Sequence, residues 1–68
     1  MTAALAAIAA ARRGDDVGVH TRLAAMRRAK PTPHDAAFLS YLAGVALREV
    51  GAIEDARREF AAAVDRSP

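Results

Sequence analysis

The sequence predicts an all-α fold of four helices arranged as two antiparallel hairpins. Three observations point to it. Much of the 53% apolar content is alanine, which favours helix strongly while burying little area. Apolar residues recur at the three- and four-residue spacing of an amphipathic helix. Breaks at Gly14, Pro31-Thr32-Pro33 and Gly51 divide the chain into four such stretches.

The first stretch, 2–13, has Thr2 as a candidate N-cap and a narrow stripe of Leu5 and Ile8 among alanines. Gly14 ends it, and Arg12 and Arg13 suit the negative end of its dipole. Asp15 and Asp16 then open a second helix, with Gly18 weakening its first turn. Val19, Leu23 and Met26 turn one apolar face toward the first helix. Pro31 closes the second helix. Thr32 caps a third, with Pro33 at its first position and Asp35 three residues after the cap.

The third helix, 33–50, is apolar around most of its circumference, which predicts neighbours on more than one side. Phe38, Leu42 and Val45 form one ridge, and Leu39, Ala46 and Val50 the next. Ser40, Arg48 and the tip of Tyr41 mark its expected solvent or groove side. Gly51 breaks this helix. Ile53-Glu54-Asp55 opens the fourth, with Ala56, Phe60, Ala63 and Val64 as its inner face. Arg57, Arg58, Glu59 and Asp65 are expected on a solvated outer face.

Composition limits the functional classes. A chain of 68 residues buries only about 60% of its unfolded surface on folding, so its stability margin is thin. It has no cysteine, hence no disulfide or thiolate site. Residues 1–34 carry six basic and two acidic groups (+4), and residues 35–68 four basic and six acidic (−2), which together give the net +2. That is a modest dipole and not a basic domain. No apolar run reaches the length of a membrane span and no basic region precedes Met1–Ala11 as in a signal peptide, so a cytoplasmic protein is expected.

A shift of 37 residues lays Gly14 on Gly51, Leu5 on Leu42, Ile8 on Val45, Leu23 on Phe60 and Pro31 on Pro68. Ala24-Ala25 falls on Ala61-Ala62. The chain therefore divides at 1–31 and 32–68 into two copies of one unit within a single domain, and such units bury a core by stacking.

The second unit resembles a tetratricopeptide repeat (TPR). The pattern appears as Ala43-Gly44, Leu47, Ala56, Phe60, Ala63 and Pro68, and 51–56 resembles the family's acidic hairpin turn. Gly44 and Ala56 are small where two helices would cross closely, with Phe60 beside that contact. Ser40 departs from the pattern, standing where the family favours a large aromatic, and Ala43 and Leu47 replace Leu and Tyr. The first unit is more diverged, with Ala7 for the glycine, Val19 for the alanine and Leu23 for the phenylalanine.

The resemblance implies a binding scaffold whose first helices line a concave face for a peptide or partner helix. On this chain that groove would comprise Ile8, Arg12, Phe38, Tyr41, Val45, Arg48 and Glu49. The alternative for Tyr41 and Val45 is simple packing against the first hairpin. The Lys/Asn set that clamps a C-terminal carboxylate in some members is not matched, because Ala4, Ile8, Tyr41 and Val45 occupy that face.

Other chemistry is poorly supported. Arg22, Arg27, Arg28 and Lys30 could meet phosphates, so a small nucleic-acid-associated protein using the basic first half is the alternative function. Nucleic-acid binders usually present a denser basic face, with aromatics among the charges for single strands. His20 and His34 have no third ligand in a recognisable pattern. Asp15/Asp16 and Glu54/Asp55 suit helix starts better than acid–base work. Neither a cofactor nor an enzymatic activity is expected.

Stacked repeats usually need about three units and a polar cap. Two units ending at Pro68 should leave the last helix partly uncovered around Ala61 and Val64. The chain is then expected to pair with itself, to belong to a longer array, or to have that end covered by a partner, with self-association favoured. An acidic second hairpin meeting a basic first hairpin would propagate head to tail. A two-fold dimer closes, and is the preferred form.

Overall fold

A computed structural model of the chain describes residues 2–66. The expected closing role of Pro68 lies outside the described residues, as does the side chain of the candidate cap Thr2. The described chain is all-helical: α1 (Thr2–Arg12), α2 (Asp16–Arg28), α3 (Pro33–Glu49) and α4 (Ile53–Arg66). The starts of α2 and α3 follow from local chemistry. Asp15 caps α2 through its carboxylate, which accepts from the Gly18 N–H at 2.9 Å. Thr32 caps α3 by accepting from the Asp35 N–H at 3.2 Å, with Pro33 in the first turn.

The two hairpin turns are built alike. Gly14 and Gly51 both adopt the left-handed conformation, at φ 73° and 81°. The Asp15 N–H reaches the Ala10 carbonyl at 2.9 Å, and the Ala52 N–H reaches that of Leu47 at 2.9 Å. Gly14 donates to Ala11 and Gly51 to Arg48, three residues back in each case. This paired pattern is the Schellman motif, which satisfies carbonyls that a helix end otherwise leaves orphaned. The backbone thus repeats at the 37-residue shift seen in the sequence.

Within each hairpin the helices pack closely, and α3 also packs against α1. Helical register divides the faces of α1: Ala3, Ala7 and Ala10 turn toward α2, while Ala4, Ile8 and Ala11 turn toward α3. Against the second set α3 sets Leu39, Ala43, Ala46 and Val50. Most of these side chains are buried, and the rest are partly buried against the same core. The largest fully buried side chains are Leu23, Leu47 and Val19, so the core rests on a few bulky groups embedded in alanine. The result is a flat body of 33 × 22 × 14 Å.

Packing is close at the α3–α4 crossing, where the ring of Phe60 lies against Gly44. A Cβ built on Gly44 would come within 2.6 Å of that ring. The first hairpin reaches the same end with Ala7 and Leu23, both buried at the equivalent positions. A methyl group gained on one helix accompanies a smaller side chain on the other.

Three expectations require correction. Ser40 is 2% exposed, not on the solvent side, because it lies on the face of α3 that turns toward α4. Glu59 leaves the outer face and reaches toward α2, its side chain only 16% exposed. Val64 is 74% exposed and does not line the inner face. In register it is turned about a quarter of a revolution from the Ala56–Phe60–Ala63 line, beyond the cover of α3.

The size compensation between hairpins predicts a double-mutant result. Gly44→Ala should destabilise the fold by about 1–3 kcal/mol through overpacking against Phe60. Adding Phe60→Leu, which copies the first hairpin, should cost less than the sum of the two single changes in urea unfolding. Strict additivity would show that the two sites are not coupled. Gly14→Ala and Gly51→Ala meet no neighbour within 4 Å, so each should cost about 1–2 kcal/mol from backbone conformation alone.

Candidate protein-binding surface

Because α1 and α3 lie side by side, their outer faces form one continuous surface. Ile8 and Leu42 are partly buried and packed against the core, filling the seam between the helices. Around that seam, helical register places Arg12 on α1, and Phe38, Val45 and Glu49 on α3. Arg12 and Glu49 are exposed and Val45 is half-buried. Phe38 is 48% exposed, an unusual disposition for a phenylalanine.

Tyr41 and Arg48 lie farther round α3, toward its free flank. Tyr41 is 52% exposed, and its ring meets that of Phe60 with centroids 5.8 Å apart at an interplanar angle of 49°. A tilted contact of this kind holds the tyrosine against α4 while one side stays open. Tyr41, Val45 and Arg48 are the 37-residue counterparts of Ala4, Ile8 and Ala11. In the first hairpin those residues face α3, and Ala4 and Ala11 are buried. The equivalent flank of the second hairpin is uncovered and carries larger side chains. Ala61 and Val64, expected at a free end, are both exposed on α4, and Ile53 is about half exposed at the start of the same helix.

The opposite side of the body holds a feature the sequence reading missed. The backbones of α2 and α4 make no direct contact, yet Arg27 on α2 donates to the Glu59 carboxylate on α4. This ion pair spans a trough with depressions on both sides of it. One of about 510 Å³ is lined by Met26, Pro31, Leu39, Ser40 and Ala62, among others, and one of about 270 Å³ by His20, Leu23, Leu47 and Asp55, among others. A small side chain at Ser40 leaves the larger space unfilled. The signal was present in the sequence, since Ser40 stands where the resembled family favours a bulky aromatic.

The remaining candidates have local roles. Asp15 caps α2, and His20 Nε2 lies 3.3 Å from Asp16 one turn away. Glu54 and Asp55 lie 3.6 and 3.2 Å from Arg57 and Arg58 on their own helix. Among the described residues no group of three or more His, Cys, Asp or Glu side chains could hold a metal. No helix there is long and apolar enough to cross a membrane.

Comparison with protein families, with curated proteins and with solved structures finds no match for this chain. The functional reading therefore rests on the surface itself.

The trough makes the Arg27–Glu59 pair the polar tie between α2 and α4. A double-mutant cycle with Arg27→Ala and Glu59→Ala should give a coupling of about 1 kcal/mol or less, because Arg27 is more than half exposed. The coupling should shrink in concentrated salt. A coupling indifferent to salt would assign the effect to side-chain packing instead.

Proposed function

We propose that this protein is a non-enzymatic association module of the tetratricopeptide-like kind, acting in the cytoplasm. Its working surface is the α1–α3 face continued onto the free flank of α3. The observation that carries this reading is the exposure of Phe38 and Tyr41 on one helix beside Arg48 and Glu49. Aromatic residues and arginine are the types enriched at protein interfaces and at their energetic centres. Here they stand on a helix, so little backbone ordering is needed to present them.

The chemistry of the face suggests its ligand. Phe38, Tyr41 and Val45 offer an apolar strip, while Arg12, Arg48 and Glu49 provide both signs of charge at its margins. A short amphipathic helix or extended peptide with one or two apolar anchors and flanking charged groups would fit. Nucleic acid is the weaker alternative, because two of the six basic groups of the first half are already paired with carboxylates. Arg27 is engaged with Glu59, and Arg13 lies 3.8 Å from Asp15.

The test is selection from a random peptide display library on dilute, folded protein. Enriched peptides should share apolar anchors and lose roughly tenfold or more in affinity against Tyr41→Ala or Phe38→Ala. Failure to enrich any sequence would sink the reading, as would peptides indifferent to both changes. An oligonucleotide that bound specifically at low salt and competed with no peptide would favour the alternative.

A further inference from the structure

Four side chains form a row at 3-4-3 spacing along the edge where the seam face of α3 passes into its free flank: Phe38, Tyr41, Val45 and Arg48. This spacing reads the same in both directions. Turned end over end about its midpoint, the row sets Tyr41 against Val45 and Phe38 against Arg48, each pair occurring twice. We propose that this flank is a self-complementary surface that pairs with the same flank of a second copy, the two α3 helices running antiparallel about a two-fold axis. The proposal rests on reading the face as a protein-binding surface, and it names an occupant.

The residue types fit that pairing. The middle of the contact would hold two tyrosine rings against two valines, all apolar where they meet. At each end a guanidinium would lie over a half-exposed phenylalanine ring, an attractive cation–π arrangement. The two Arg48 side chains of the dimer would be separated by about the length of the row. Ten residues at 1.5 Å rise give about 15 Å, beyond the screening length at physiological salt.

The same residues disfavour head-to-tail stacking. Repeating the α1–α3 seam between copies would set Ala6, Ala9 and Arg13 of one chain against Tyr41, Val45 and Arg48 of another. Ala4 and Ala11 let α3 approach α1 closely, whereas Tyr41 and Arg48 in their places hold a helix off. Arg13 would also come beside Arg48, a like-charge contact. A closed pair avoids both problems and ends growth at two copies.

Sedimentation equilibrium on the intact chain tests the association, and disulfide mapping tests its geometry. The native chain has no cysteine, so Phe38→Cys and Arg48→Cys can be made singly and oxidised as an equal mixture. The antiparallel pairing predicts a mixed 38–48 disulfide well above the one-half share that random pairing of an equal mixture would give. Val45→Glu should weaken dimerisation roughly tenfold or more with the helical circular dichroism retained, since the change enters a symmetric contact twice. If that variant fails to fold, the cross-link ratio decides alone. A chain that stays monomeric at about 1 mM, a dimer indifferent to Val45→Glu, or a mixed disulfide at or below the random share would each overturn the pairing. Those results would leave the peptide selection, made on dilute protein, to judge the broader reading.

Discussion

The fold depends on how closely α3 and α4 can approach, and the Gly44–Phe60 contact sets that distance. With no side chain at 44, the phenyl ring lies directly on the α3 backbone and the helices close around it. Phe60 in turn supports Tyr41, so the packing that stabilises the second hairpin also positions an exposed aromatic. The first hairpin shows that the contact is a matter of combined volume, because Ala7 and Leu23 fill the equivalent space. Core packing tolerates such exchanges when total volume is kept.

Most of the fold was legible because its signals are local. Helix starts at Asp15 and Thr32, the glycine turns and the proline break all act within a few residues of themselves. The 37-residue correspondence recovered the two-hairpin organisation, and the duplicated turn hydrogen bonds repeat it in the backbone. What escaped were outcomes of tertiary placement. Periodicity could assign Glu59 to a polar face of α4, but could not reveal that the face looks across a trough at Arg27. Ser40 read as solvated by residue type, while its buried position follows from lying on the same face of α3 as Gly44.

The candidate surface was legible in part for the same reason. Phe38, Tyr41, Val45, Arg48 and Glu49 share a broad side of one helix, which spacing alone can establish. Ile8 was placed on that surface as a contact residue, yet it serves mainly to close the seam with α3. The difference between covered and open flanks emerged only when Ala4 and Ala11 were compared with Tyr41 and Arg48. An alanine flank suits close helix packing, and a flank of large side chains suits something that docks at greater distance.

The order of contacts along the chain also bears on how the protein reaches its native state. Each hairpin joins consecutive helices, and the main contact between hairpins joins first helices separated by a single intervening element. Among the described residues α1 and α4 make no direct contact, so the first and last helices need not find each other before structure can form. Such local topology is associated with rapid folding, because little loop entropy is lost before contacts reward it. Either hairpin could therefore form first and offer its flank as a template for the other, so the flat shape has a kinetic counterpart in a short search.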